Sequence, residues 1–362
     1  MTRTPASFTV LLSSTLRDAA AVIDRSRTGI AVVVDERGCL VDTITDGDIR
    51  RAVLAASSLD VPLAVFRERR ATGPYREPVV GAADESGEVW CERMRQRQIR
   101  QLPIVDAAGV VVDLALIEDF VVDPTPLDVQ AVVMAGGFGK RLGSLTTNTP
   151  KPMLPVGDRP LLEHIVDQLR DAGVRRVNIT THFRKDVIKD HFADGAGFGV
   201  DIAYVDEVEP LGTAGALGLL QAPEEPLLVM NGDILTRVDV REMARFHRAE
   251  RADITVAVRQ YEVVIPFGVV DVDGSRIVQI REKPRQQVLV NAGIYLLQPA
   301  AVARVASGVR LDMPDLITAM INDGARVASF PIVEYWLDVG RPDDYAKAQV
   351  DVVDLQTEQA KR

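Results

Sequence analysis

The stretch Ala135-Gly136-Gly137-Phe138-Gly139-Lys140-Arg141 has the residue types of a phosphate-binding turn, and it follows the short, almost wholly apolar run Gln130–Met134. Glycines placed directly after a strand let backbone amides approach an anionic phosphate chain with no Cβ in the way. Taken alone, such a turn is as often a dinucleotide-binding loop or plain packing. The residues downstream decide. A dinucleotide loop would open a helix at once, whereas here Arg141-Leu142-Gly143 leads on to Pro150-Lys151-Pro152-Met153-Leu154-Pro155. Prolines on both sides of Lys151 forbid that helix, and extended backbone aims Lys151 back at the loop. Arg141 and Lys151 then supply two cations for a triphosphate. The four histidines, His164, His182, His191 and His247, have neither metal-ligand nor triad spacing and receive no role.

Those local cations matter because the chain as a whole is acidic, with a net charge of −10 over 362 residues. Nucleic-acid binding normally needs an excess of Lys and Arg on one face, so no nucleic-acid partner is expected. Hydrophobic residues at 47% and charged residues at 26% are the balance of a globular protein with a sizeable core, and the length suggests two or three domains. Only Cys39 and Cys91 are present, and neither a signal segment nor a membrane-length apolar run is found. A reducing cytoplasm and no membrane partner are the expectations.

The elements that must position the loop read as α/β. Gln130–Met134 is a buried parallel strand. Leu161, Leu162, Ile165, Val166 and Leu169 form one face of a helix stopped at Gly173, and strands follow at 177–180 and 226–230. This alternation predicts a mostly parallel, Rossmann-like sheet wrapped on both faces, with ligands at the carboxyl ends of its strands.

At this point the chain strongly resembles the sugar-1-phosphate nucleotidyltransferases, whose G-G-x-G-x-R loop and downstream P-K-P segment stand here nearly intact. The resemblance covers about residues 130–345. It implies that Ala135, Gly136, Gly137 and Gly139 bind the nucleotide, together with Gly212, Thr213 and Gly215 of Leu211-Gly212-Thr213-Ala214-Gly215-Ala216. In that turn small residues would leave room for a flat base, and a helix capped by Thr213 is compatible with it. The same resemblance makes Asp233 of Asn231-Gly232-Asp233 and Asp338 of Trp336-Leu337-Asp338-Val339-Gly340-Arg341-Pro342 the ligands of Mg2+. That ion accepts one or two carboxylates plus substrate phosphates, although an Asn-Gly-Asp turn also occurs without metal. Glu282-Lys283-Pro284 and Asn291-Ala292-Gly293 resemble the sugar-binding elements. Glu282 would accept sugar hydroxyls, Lys283 would pair with the sugar phosphate, and Asn291 and Gly293 would contact the ring. Arg141, Lys151, Asp233 and Lys283 make up the implied catalytic set.

The N-terminal third carries an internal repeat. Val34-Asp35-Glu36-Arg37-Gly38 followed by Val41-Asp42 recurs as Val105-Asp106-Ala107-Ala108-Gly109 followed by Val112-Asp113. Each copy reads as a strand, a glycine turn, a second strand and an acidic helix start: Ile30–Val34 with Leu40–Thr45, and 102–105 with 110–116. A helix-like segment precedes each hairpin, with Leu16, Ala19, Ala20 and Ile23 on one face in the first. The order resembles a pair of small α+β CBS domains. Thr45-Asp46-Gly47-Asp48 looks like that family's T-x-x-D element for a ligand's ribose, which makes Thr45 and Asp48 candidates for a regulatory nucleotide. Asp48 as a helix-capping residue is the competing reading. The second copy has Leu116 in place of Thr45 but keeps Asp119. The organisation expected is a CBS pair at 1–122 (repeats at about 8–60 and 72–122), a proline linker at 123–128, a nucleotidyltransferase domain at 129–350 and a C-terminal tail at 351–362.

Together these resemblances imply a homo-oligomeric enzyme that transfers a nucleoside monophosphate from an NTP to a sugar 1-phosphate. Chains joining a CBS pair to this domain resemble guanylyltransferases for amino-sugar or heptose 1-phosphates, which puts GTP ahead of UTP and dTTP. A non-catalytic nucleotide-sugar sensor and a dinucleotide-dependent oxidoreductase are the alternatives from other classes.

Overall fold

The computed structural model describes residues 3–55, 58–70, 77–97, 99–120 and 126–360. Asp123, Pro124 and Thr125 of the expected linker lie outside the described residues. The chain divides into two compact units, Met1–Pro124 with Gln260–Val288, and Thr125–Arg259 with Leu289–Arg362.

In the first unit the repeat is structural as well as sequential. Thr9–Leu11 pairs parallel with Ile30–Val34, which pairs antiparallel with Leu40–Thr45. Gly81–Ala82, Gln101–Val105 and Val111–Leu116 repeat the arrangement. The registers match residue for residue. Ile30 faces Thr45 as Gln101 faces Leu116, and the ladder slips between Val33 and Val34 as it does between Ile104 and Val105. Each hairpin tip is built by one aspartate. Asp35 Oδ1 accepts the Arg37 and Cys39 amides, and Asp106 Oδ1 accepts those of Ala108 and Val110, all at 2.9 Å. The tips then pair with each other, Leu40 N donating to Gly109 O and Val111 N to Gly38 O. Phe8, Ile30, Val32, Val34, Val111 and Leu114 form a buried cluster drawn from both copies, so neither closes its core alone.

The helix after the first hairpin, Asp46–Leu54, begins with a reciprocal cap: the Thr45 amide donates to Asp48 Oδ2 at 2.9 Å and the Asp48 amide to Thr45 Oγ1 at 3.2 Å. At the same place the second copy has the 3-10 turn Ile117–Asp119, and Leu116 has no hydroxyl to accept the Asp119 amide.

The second unit holds a seven-stranded sheet. Its order is Asp201–Asp206, Arg176–Thr181, Gln130–Met134, Leu227–Asn231, Arg285–Leu297, Ile254–Val264, Val327–Ile332. The first four strands are mutually parallel, and Arg285–Leu297 runs against them. Alternate side chains serve opposite faces. Ala131, Val133, Leu228 and Met230 pack with Leu162, Ile165, Val166 and Leu169 of the Leu161–Asp171 helix, whereas Val132, Leu227 and Val229 pack with Leu316 and Met320 of Met313–Asn322. Both faces are thereby covered, as a parallel sheet requires.

Two expectations need correction, and the compact units cross the bounds of a third. Residues 351–360 are not a tail. The Pro342–Ala360 helix runs through them, with Val352 buried and Asp351 accepting the Tyr335 hydroxyl at 2.6 Å. The division into compact units also cuts across the span 129–350. The long strands Ile254–Val264 and Arg285–Leu297 continue into an arm whose hairpin, Val269–Asp273 with Arg276–Arg281, belongs with the N-terminal unit. Finally, the segment around Lys151 is not simply extended: Lys151–Met153 forms a 3-10 turn. Proline is tolerated in a first helical turn, where its missing N–H costs nothing.

Candidate active site

Four strands of the second unit end in the same direction. Their carboxyl ends deliver Ala135 and Gly136, His182, Glu207, and Asn231 to Asp233. The Ala135 amide donates to Thr180 Oγ1 at 3.2 Å and the Gly232 amide to Met134 O at 2.9 Å, which fixes the glycine loop to its neighbours on both sides. Gly139 has φ of 63°, and a Cβ there would lie 2.8 Å from Thr146 Cγ2 and 3.0 Å from Lys151 Cβ. Only glycine lets the loop lie this close to the lysine. The loop continues as the 3-10 run Lys140–Thr146, broken at Gly143, and the Thr146 hydroxyl donates to the carbonyls of Gly139 and Gly143.

Asp233 and Asp338, far apart in sequence, are brought together by a two-stranded ladder. Trp336–Asp338 pairs antiparallel with Ile234–Thr236, Ile234 stands opposite Asp338, and the Val339 amide donates to Asp233 O at 2.9 Å. Lys151 Nζ lies 2.5 Å from Asp233 Oδ2. Asp338 keeps solvent access on one face. Enclosure on the other and the charge of Asp233 push its pKa up, while Lys151 and Arg141 pull it back. Two like charges and two cations thus share one strand end. The donor set fits a divalent cation: two hard carboxylate oxygens repel each other until a cation sits between them. Among the described residues no group of three or more His, Cys, Asp or Glu could hold a metal, so further ligands would come from substrate or water, which is how Mg2+ is ordinarily held.

Of the other expected site residues, Gly293 has φ of 69°, its amide donates to Asn291 Oδ1 at 2.9 Å, and a Cβ on it would meet Asn231 Nδ2 at 2.6 Å. Asn291 and Gly293 therefore form a local kink in the Arg285–Leu297 strand, which pairs with the strand that leads to Asp233. Trp336 Nε1 donates to Ala292 O between them. Glu282 and Lys283 lie on the arm, in the other compact unit, with Lys283 at φ of 42°.

The turn at 211–216 has a structural account of its own. A Cβ on Gly212 would lie 2.7 Å from Leu311 O, one on Gly215 would lie 2.5 Å from Val309 O, and the Ala214 and Gly215 amides both donate to Leu311 O. The Thr213 hydroxyl accepts the Met313 amide at 2.8 Å at the start of the next-packed helix. The small residues admit the 309–312 backbone.

One residue at these strand ends escaped the sequence reading. Glu207 is a buried acid following the Asp201–Asp206 strand. Its Oε2 accepts the Leu211 amide at 2.9 Å, and its Oε1 would lie 2.6 Å from a Cβ on Gly136. It thus bridges the glycine loop and the 211–216 turn. The available signal was its position four residues before Leu211, next to two loops already singled out.

A nucleotidyl transferase family profile matches residues 130–354. The chain belongs to the nucleotidyl transferase family. A CBS domain profile matches residues 1–55, the first of the two copies. Among curated members of the transferase family, mannose-1-phosphate guanylyltransferase of Mycobacterium tuberculosis is 33% identical over 234 residues, covering 62% of this chain and 65% of that protein. The chain thus spans less than two thirds of that relative's length. D-glycero-alpha-D-manno-heptose 1-phosphate guanylyltransferase of Aneurinibacillus thermoaerophilus is 31% identical over 223 residues, 61% of this chain and 96% of that protein. A solved structure from Bacillus anthracis, assigned as a glucose-1-phosphate thymidylyltransferase, superposes with a TM-score of 0.51 at 26% identity over 61% of this chain and 94% of its own. The match to the transferase family coincides with the unit that carries the seven-stranded sheet and also takes in the arm.

Proposed function

We propose that this chain transfers a guanylyl group from GTP to a sugar 1-phosphate, releasing pyrophosphate. The observation that carries the reading is the convergence of Asp233, Asp338 and Lys151 on one strand end, beside the glycine loop and with Arg141 in electrostatic range. Guanylyl transfer is favoured over uridylyl or thymidylyl transfer by the two guanylyltransferase relatives.

In the reaction a sugar-phosphate oxygen attacks the α-phosphorus in line. A new P–O bond forms as the bond to the β-phosphate oxygen breaks, and pyrophosphate leaves with the electron pair. The nucleophile is already anionic near neutral pH, so positioning and charge neutralisation carry the catalysis rather than a general base. Arg141 and Lys151 neutralise the triphosphate, and Lys283 brings in the sugar phosphate. Glu282, Asn291 and Gly293 hold the sugar. Asp233 and Asp338 would hold Mg2+, which supplies neutralising charge to phosphate oxygens when bound. Thr45 and Asp48 would take one regulatory nucleotide on the N-terminal pair.

The test is pyrophosphate release from GTP, UTP, dTTP and ATP against mannose 1-phosphate and D-glycero-D-manno-heptose 1-phosphate. Turnover should be highest with GTP and one of these sugars. Absence of pyrophosphate from every combination would remove the reading.

A further inference from the structure

We infer that Arg17 and Asp60, in the N-terminal repeat, are positioning residues for the arm that carries Glu282 and Lys283, so that the repeat tunes affinity for the sugar 1-phosphate. The inference rests on the assignment of Glu282 and Lys283 to that substrate and adds what holds them in place.

The sequence puts a cation where a helix least favours one. Arg17 is the second residue of the Leu16–Ser26 helix, in the turn whose free amides and dipole repel positive charge. Asp60 offsets this, its carboxylate accepting from Arg17 Nε at 2.8 Å and from Nη2 at 3.2 Å. Backbone bonds keep the two in register, because the Leu16 amide donates to Val61 O at 2.9 Å and the Arg17 amide to Leu59 O at 2.7 Å, on either side of Asp60. The pair is fixed at its roots while both side chains stay more than half exposed.

The arm, which belongs to the same compact unit, presents a complementary pair. In its neck, formed by Ile254–Val264 and Arg285–Leu297, Gln260 Nε2 donates to Gln287 Oε1 at 2.7 Å and Arg285 Nη1 to Glu262 Oε1 at 3.0 Å. Beyond that rung the arm ends in a two-stranded hairpin, which has little stability by itself. Asp60 and, beside it, Glu262 raise the pKa of Arg17, and Arg17 together with Arg285 lowers that of Asp60, so each cation is drawn to the other pair's anion. Four charges of alternating sign join the start of a helix to the neck of the arm. Arg285 stands two residues from Lys283 and three from Glu282, so a tilt of the neck is passed straight to the residues proposed for the sugar phosphate. Exposed pairs add little to global stability, yet a small bias is enough to select among orientations of a marginal ribbon.

The experiment exchanges charges in the full-length chain and reads hydrogen exchange over residues 260–288 alongside steady-state kinetics with GTP and mannose 1-phosphate or D-glycero-D-manno-heptose 1-phosphate. Arg17→Glu with Asp60→Arg keeps the first pair intact and puts an acid in the first helical turn, where it is favoured, but sets like charges against the arm. That variant should speed exchange over 260–288 and raise the KM for the sugar phosphate, each by about fivefold or more, with kcat and the KM for GTP within about twofold of wild type. Adding Glu262→Arg and Arg285→Glu restores the alternation and should bring both readouts back to within about twofold. A pair that served only its own helix would leave both readouts unmoved in the first variant, because the pair survives in it. Unchanged arm exchange in the two-residue variant, or a four-residue variant that restores neither readout, would therefore overturn the inference. Wild-type protein offers a check without substitutions: arm exchange should quicken between about 0.05 and 0.5 M NaCl as the charges are screened, and indifference to salt would also overturn it. If arm exchange responds and is restored while the KM for the sugar phosphate stays put, the arm is held as inferred and the assignment of Glu282 and Lys283 to the sugar phosphate falls.

Discussion

At Asp338 the proposed catalytic role and stability pull in opposite directions. Its folded pKa is raised by enclosure and by Asp233, so the folded protein holds its proton more tightly than the unfolded chain does. At pH values above that raised pKa the group therefore costs stability, and the cost disappears as the pH falls towards the ordinary carboxylate range. Asp338→Asn should thus keep or raise the melting temperature at pH 7 without added metal, while lowering kcat by about 100-fold or more, as loss of a group acting in the transition state does. Thermal melting alongside pyrophosphate release checks both halves. His247 gives the reverse sign. It is buried between Thr255 and Gln298, each 2.8 to 2.9 Å from a ring nitrogen, and burial lowers its pKa from the ordinary 6.5 to about 4. The unfolded chain binds the proton that the folded one refuses, so stability is complete above pH 6.5 and falls as the pH drops to about 4. The loss amounts to about 3 kcal/mol. Urea denaturation at pH 7, 5.5 and 4.5 should show that decline, and His247→Gln should flatten it. Neither residue's environment was legible in the sequence. Asp338 was chosen by motif resemblance, and His247 shows only the absence of metal-ligand spacing, because burial depends on what packs around a side chain.

At the scale of elements, the repeat was the most legible feature. Strand bounds for the first hairpin follow from apolar runs and the Asp-x-x-Gly turns, because one aspartate per tip builds the turn from its own side chain. The same locality explains Asp48: the capping box is written within four residues. It also makes Asp48 a stabilising residue whatever else it binds. Asp48→Ala removes the acceptor for the Thr45 amide and for Arg51, and should destabilise the N-terminal unit by about 1 kcal/mol. Asp119→Ala in the second copy would instead remove the carboxylate that pairs with both terminal nitrogens of Arg3. Differential scanning calorimetry of the Asp48 variant measures the first effect. Any loss of regulation in it must then be judged against a control of equal stability, such as Thr15→Ala, which breaks the equivalent cap of the Leu16–Ser26 helix. What stayed illegible at this scale were the 3-10 turns at Lys140–Thr146 and Lys151–Met153. Their prolines and glycines announce only that no long helix forms.

Over the whole molecule, sequence order misplaces the arm. Residues 260–288 lie inside the stretch matched by the transferase family, yet they form a compact unit with Met1–Pro124. Within that unit Arg17 and Asp60 pair at 2.8 Å, Glu262 and Arg285 pair at 3.0 Å, and each pair feels the other's charge. Such exposed pairs contribute little stability. The same arm carries Glu282 and Lys283, the residues proposed for the sugar 1-phosphate, so the proposal has a kinetic consequence. A chain beginning at residue 126 should keep its GTP affinity but show a KM for the sugar 1-phosphate raised at least about fivefold, the lower end of ordinary coupling between sites. Steady-state kinetics with each substrate varied in turn separates the two effects. No helix among the described residues is long and apolar enough to cross a membrane.

The most direct test of the proposed reaction is product analysis by phosphorus NMR, with the full chain, GTP, Mg2+ and a sugar 1-phosphate, run in parallel with Asp233→Asn. Wild-type protein should convert GTP and sugar phosphate into pyrophosphate and a GDP-sugar in equal amounts, and Asp233→Asn should be slower by about 100-fold or more. Pyrophosphate without a GDP-sugar, or an Asp233→Asn variant that turns over as fast as wild type, would contradict the assignment of this strand end as the site of nucleotidyl transfer.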